Sequence, residues 1–272
     1  MASDYERAFS FQQRVLARTS TRTEPLMWGT AYFNDDFPLR YDANLAIADR
    51  PVGAATADDV VATLDGVYDG FRHREVEFAS VADADTIAMG MAEHGYAIEH
   101  MVVMAQRRDP DRAAEPAATE ELDVATVQPF VAEVTRREPW GVEPGIAEMM
   151  ASYRQVLADG VGARFFAQCI GGRIAGSCEL YLEGDVAQIE DVNTLEEFRG
   201  RGVARNVVLR AVDEARHAGA SLVFLFADAQ DWPRKLYGRL GFDDVGDSRL
   251  FTRWPEHRAA PVTHEPKSPV AG

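Results

Sequence analysis

Three features of the 272-residue sequence predict an α/β fold. The run Leu222-Val223-Phe224-Leu225-Phe226 is apolar on both faces, as a strand covered by helices on each side must be. Strand-like and helix-like periodicities alternate along the chain. Between an apolar run, Val186 to Val192, and an amphipathic helix pattern lies a glycine-rich corner, Phe198-Arg199-Gly200-Arg201-Gly202-Val203-Ala204.

The elements follow in order. Arg40 to Ile47 is expected to form a strand. Asp58 to Phe71 is expected to form an amphipathic helix with Val60, Val61, Leu64, Val67, Tyr68 and Phe71 inward, capped by Thr56 and Asp59. Val76 to Ala79 reads as a second strand, and Met91-Ala92-Glu93-His94-Gly95-Tyr96 leads into a third, Glu99 to Ala105. Arg107 to Glu120 carries charge and proline without hydrophobic periodicity and reads as a linker. The expected division is therefore a domain over 1–107, a linker over 108–120, a domain over 121–254 and a tail over 255–272.

In the second domain the pattern gives helices over Val127 to Arg137 and Ile146 to Ala158, separated by a loop with Pro139-Trp140-Gly141. Two strands hinged at Gly171-Gly172 come next, then the strand before the corner. The helix after the corner places Ala204, Val208, Ala211, Val212 and Ala215 on one face and stops near Gly219. Ser221 to Ala227 is a buried strand, followed by a short helix within Asp231 to Phe242 and a final strand. Pro261, Pro266 and Pro269 mark the tail beyond Trp254 as disordered.

Composition narrows the function classes. Forty-four acidic residues against 28 basic ones give a formal charge of -16, which argues against nucleic acid or an anionic membrane as partner and suits a cationic substrate. No apolar stretch has the length of a membrane span, and Met1 to Glu6 lacks a basic segment followed by a hydrophobic one, so a cytoplasmic location is expected. Cys169 and Cys178 flank the Gly171-Gly172 turn out of register and are expected as buried thiols rather than a disulfide. His73, His94, His100 and His217 show no metal-ligand spacing, and no metal is expected.

The corner has the makings of an oxyanion site. Glycines at 200 and 202 admit close approach and positive φ, and the following helix begins with unpaired amides at the positive end of its dipole. Arg199, Arg201 and Arg205 add positive charge. No Gly-x-x-x-x-Gly-Lys-Ser/Thr occurs, which disfavours ATP.

About thirty residues later stands Leu236-Tyr237-Gly238-Arg239-Leu240-Gly241-Phe242. This motif, placed after Arg-x-x-Gly-x-Ala at 199–204, resembles the GNAT superfamily of acyl-CoA N-acyltransferases over roughly residues 120 to 254. The resemblance implies a mixed α+β sheet and acetyl-CoA as co-substrate. The pyrophosphate is then expected on the amides of Gly200, Arg201, Gly202, Val203, Ala204 and Arg205, with Arg199 beside it. The pantetheine arm is expected along Val192, Asn193 and Thr194, where the family's strand splays from its neighbour. The family often places an asparagine seven positions before the motif tyrosine; here Gln230 stands there.

The resemblance makes Tyr237 the general acid for the leaving thiolate. Strand alternation sets Glu190 on one face with Gln188, Val192 and Thr194, pointing at the thioester as general base, and turns Asp191 away. Asp228 is the second candidate base. Trp140, Glu138 and Glu143 are expected to contact the acceptor amine. Residues 1 to about 107 echo the same strand-helix order without the arginine-glycine corner, and read as a degenerate GNAT-like copy. The predicted function is N-acetyl transfer to a primary amine in a ternary complex, by a monomer or homodimer. A non-catalytic acyl-CoA-binding module or a pseudo-dimeric scaffold is the alternative.

Overall fold

The computed structural model describes residues 2–113, 115 and 118–255. The expected disordered tail lies outside these residues from 256 onward. The first half of the chain forms α1 (Asp4–Thr19), β1 (Arg22–Leu26), β2 (Gly29–Phe33), β3 (Ala46–Ala48), α2 (Ala57–Val67), β4 (Arg74–Phe78), α3 (Val81–Glu93) and β5 (Ala97–Gln106). The second forms β6 (Thr119–Leu122), α4 (Val124–Arg137), α5 (Ile146–Val161), β7 (Arg164–Ile170), β8 (Arg173–Glu183), β9 (Val186–Thr194), α6 (Val203–His217), β10 (Leu222–Asp228), α7 (Trp232–Arg239) and β11 (Phe242–Arg253).

All strands join one mixed sheet in the order β1-β2-β3-β4-β11-β5-β10-β9-β8-β7-β6. The two halves repeat a unit of strand, helix, parallel strand, helix, strand: β3-α2-β4-α3-β5 and β9-α6-β10-α7-β11. Their last strands are exchanged. β5 pairs antiparallel with β10 of the other half, β11 pairs antiparallel with β4, and β5 and β11 pair with each other at the centre.

Helices cover both faces. One face packs Val207, Val208, Ala211 and Ala215 of α6 and Tyr237 of α7 on Cys178, Leu180, Ile189, Val223 and Leu225. The other packs α1, α4 and α5 on Phe165, Tyr181, Val186 and Phe224. A third cluster joins α2 and α3 to Val76, Phe78 and Phe251.

Several sequence expectations change. The segment from Arg40 to Ile47 forms a short 3-10 turn at Tyr41–Ala43 and only then a strand, Ala46–Ala48. The linker is not free: Arg107 and Arg108 donate backbone bonds to Gly241 O at 2.9 and 3.1 Å, and Thr119 and Glu120 already belong to β6. Cys178 is buried, but Cys169 is exposed. Helix α1 and the hairpin β1-β2 were not expected at all. No helix of the described residues is long and apolar enough to cross a membrane.

Candidate active site

Strand β9 carries the site because its pairing fails on one side and bends on the other. It pairs with β10 only at Val186, Ala187 and Gln188, so Ile189 to Thr194 run on without a β10 partner. Toward β8, Glu190 stands opposite Glu179 and Asn193 opposite Ser177, leaving Asp191 and Val192 against the single residue Cys178. Two residues facing one is a β-bulge. Asp191 absorbs it with φ 50°, the left-handed region that non-glycine residues rarely adopt.

The bulge corrects the expected alternation. Val186, Gln188 and Glu190 face α1 and α5, but Val192 packs with the α6 cluster on the opposite face. Thr194 follows Val192: a Cβ on its partner Gly176 would meet Thr194 Oγ1 and the Val203 side chain together. Asp191 is not turned away from Glu190. It joins Arg154 of α5, whose Nε also holds Glu179 at 2.6 Å. Tyr181 donates to the same Glu179, and Arg154 Nη1 donates to Met150 O at 2.9 Å. The Arg154–Glu179 pair is buried, with the Arg154 side chain 2% exposed, while Asp191 remains partly exposed. This ion cluster fixes the bulge that aims Glu190.

Glu190 has no such cation. Its partner is Gln188, whose Nε2 donates at 2.6 Å. Burial, with the neighbouring charges of Glu179, Asp191 and Asp42, pushes its carboxyl up to about 8 against the pull of Gln188. Tyr237 on α7 is buried beside Phe242, with ring centroids 6.1 Å apart. Burial, and next the charge on Glu190, raises its pKa and keeps its proton in place. Glu190 and Tyr237 lie near enough to feel each other's charge, one from each side of the splayed strand.

The corner before α6 is built as the sequence predicts. Gly200 and Gly202 take φ 77° and 79°, and Gly202 is the uncapped N-cap of α6. No main-chain N-H from Gly200 through Arg205 has a hydrogen-bond partner among the described residues. Six free amides at a helix N-terminus with no acidic residue in the first turn fit a phosphate. The Thr194 Oγ1, buried and without a partner, sits where the strand leads into this corner. The residues present thus fit the phosphates and arm of an acyl-CoA. In the first half, α2 starts differently: Thr56 and Asp59 satisfy each other's amides in a capping box, and Asp58 adds negative charge. That helix end repels an anion.

Not every expected contact assembles. Arg199 and Arg201 are exposed at the corner, but the Arg205 guanidinium turns to Asp111 at 2.7 Å and to the Arg112 carbonyl. Only the Arg205 amide remains for phosphate. Gln230 is exposed, its N-H held by Asp228 Oδ1 at 2.8 Å, while Asp231 caps α7. Glu138 closes α4, Trp140 lies half-buried in the 3-10 turn Pro139–Val142, and Glu143 pairs with Arg72 at 3.0 Å. Sequence reasoning missed the contribution of the first half. Asp42 reaches the field of Glu190, and Arg40 stacks on Tyr153 of α5 at 4.1 Å. No signal in the sequence places a residue of the first half at the second half's strand, because that contact follows from the strand exchange.

The mixed sheet, with its splayed, bulged strand and uncapped helix start, has the form that the sequence resemblance implied. The comparisons agree. Residues 131–242 match the model of the acetyltransferase (GNAT) family. A functionally unknown conserved protein from Staphylococcus epidermidis is similar over 85% of this chain and 93% of its own, at 15% identity and a TM-score of 0.64. A GCN5-related N-acetyltransferase from Kribbella flavida is similar over 91% and 94%, at 18% identity and a TM-score of 0.61. A tandem GNAT protein from the clavulanic acid biosynthesis pathway covers 93% and 97%, at 16% identity and a TM-score of 0.53. No curated protein sequence matches. Residues 131–242 are thus similar to the acetyltransferase (GNAT) family, and most of the chain shares the fold of these structures.

Proposed function

We propose that this protein is an N-acetyltransferase that moves an acetyl group from acetyl-CoA to a primary amine by direct attack in a ternary complex. The observation that carries the reading is Glu190: a carboxyl held near neutrality, without a cation, on the splayed strand that leads to the free amides of Gly200 to Arg205. An alkylammonium has a pKa of about 10.4 and must lose a proton before attack. Glu190 takes that proton. Val192, Asn193 and Thr194 offer main-chain groups to the acyl carbonyl on a strand edge that β10 leaves open, and donors fixed in advance cost little reorganisation. Tyr237 gives its proton to the departing thiolate. The amides from Gly200 on, with Arg199 and Arg201, hold the pyrophosphate. Residues 1–107 act as a degenerate copy that closes the site from one side.

The test is thiol release from acetyl-CoA across a panel of amines, repeated for Glu190→Gln and Tyr237→Phe. Each change is expected to lower kcat by about 10²–10⁴-fold and to leave the acetyl-CoA Kd within about twofold. Unchanged turnover in both variants removes these roles and favours an acyl-CoA-binding module.

A further inference from the structure

We propose that the acceptor is an amine with at least one more cationic group along its length, its reacting nitrogen at Glu190 and its second charge on a row formed by Asp228, Glu99 and Glu75. This deepens the acyltransferase reading and rests on it for the role of Glu190.

The row follows from the exchanged strands. Asp228 of β10 stands opposite Met101 of β5, and Glu99 is two residues along β5 on the same face. Such diagonal neighbours lie about 7–8 Å apart. Glu99 stands opposite Leu250 of β11, and the next same-face position of β11, Thr252, stands opposite Glu75 of β4. Thr252 donates to Glu75 at 3.0 Å. All of these side chains share the face that carries Val103 and Phe224, which is also the face of Glu190. The carboxylates thus step diagonally across the sheet from the second half into the first.

Several carboxylates around the site are paired with cations, and these acids are not. Glu179, Asp191, Glu183 and Asp65 are held by arginines. Among the described residues Glu190, Asp228, Glu99 and Glu75 have no arginine, lysine or histidine within ion-pair distance; their contacts are Gln188, the Gln230 amide and the Thr252 hydroxyl. Arg40 is committed to Asp42 at 2.7 Å and to the Tyr153 ring. Asp42 adds a further acid whose field reaches both Glu190 and Glu75.

A second, independent feature calls for a donor. Gln188 is 5% exposed, its amide head lies against Glu190, and its Oε1 has no hydrogen-bond partner. The Gln188 amide proton is already given to Glu190, so its buried Oε1 is left as an acceptor without a donor, which an ammonium supplies. The acids do not converge on one point: no group of three or more His, Cys, Asp or Glu among the described residues can hold a metal ion. An occupant with charges spread along its length fits this spacing, and a single divalent cation does not.

The experiment compares 1,4-diaminobutane with butylamine by calorimetry on the full chain at pH 7.5, with acetyl-CoA binding measured separately. The diamine is expected to bind at least tenfold more tightly, with a steeper loss on adding salt. Glu99→Gln and Asp228→Asn are each expected to bring that ratio toward one. Equal affinity of the two amines for the unaltered protein overturns the proposal, whatever the variants do. Absence of acetyl-CoA binding instead removes the acyltransferase reading, while the ratio of the two amines still decides the acceptor class.

Discussion

Glu179 and Glu190 face each other directly across β8 and β9, yet only Glu179 has an arginine. Two carboxylates in one environment are thereby pushed to different tasks. The one beside Arg154 is structural, and the other keeps a carboxyl poised near 8.

The pH profile checks this division. A base with a raised pKa is protonated, and idle, below that value. kcat/KM should therefore climb with pH until about 8 and then level off. In Glu190→Gln the residual activity should lose that inflection.

Gly176 is a packing test of the corner. A Cβ there would lie 2.5 Å from Asn193 O and 2.6 Å from Val203 Cγ1, so any side chain must push β9 away from the start of α6. Gly176→Val should weaken acetyl-CoA binding at least about tenfold, equivalent to about 1.4 kcal/mol. Calorimetric titration with acetyl-CoA reads the change.

Removing the cation of the buried cluster should be severe. Arg154→Met leaves Glu179 and Asp191 without their arginine, and losing one partner of a buried ion pair costs about 3–5 kcal/mol. Urea denaturation should show a lower midpoint. Glu179→Gln in the same background should recover part of the loss by removing a stranded charge.

Glu75 gives stability its own pH dependence. Burial, and next the charge of Asp42, pushes its carboxyl up to about 8, against an ordinary value of 4.5. The folded state therefore binds the proton more tightly than the unfolded one. That stabilisation is complete below pH 4.5 and is lost as pH rises toward 8. Glu75→Gln, which never ionises, should flatten the fall in thermal midpoint between pH 5 and 9 expected of the unaltered protein.

Periodic segments were readable in the sequence. The apolar run at 222–226 is the buried centre of β10, and the arginine-glycine corner opens α6 as expected. Thr56 and Asp59 form the capping box that their spacing suggested. Helix α1 was missed although its signals are present: Ser3 and Glu6 form a capping box, and Arg7, Arg14 and Arg18 keep to one flank of its apolar face. Strand β1 was hidden by Pro25, which an edge strand tolerates. At the site, residue types were legible but directions were not. Period-two counting fails at Asp191, and a bulge depends on what the neighbouring strand presents, here Cys178 between Glu179 and Ser177. The acids from the first half escaped for a similar reason, since only long-range pairing brings β4 and β5 beside β10 and β11.

The exchanged strands make each half the other's missing piece. Truncation before Phe242 would bare the inner edges of β4 and β5 at once, and a chain starting at Thr119 would leave β10 without its β5 neighbour. A nick in the connecting segment near residue 113 should be tolerated as long as both fragments stay together, whereas neither fragment alone inherits a closed sheet. The two copies are thus bound to a shared fate, and neither can be lost or replaced without refolding the other.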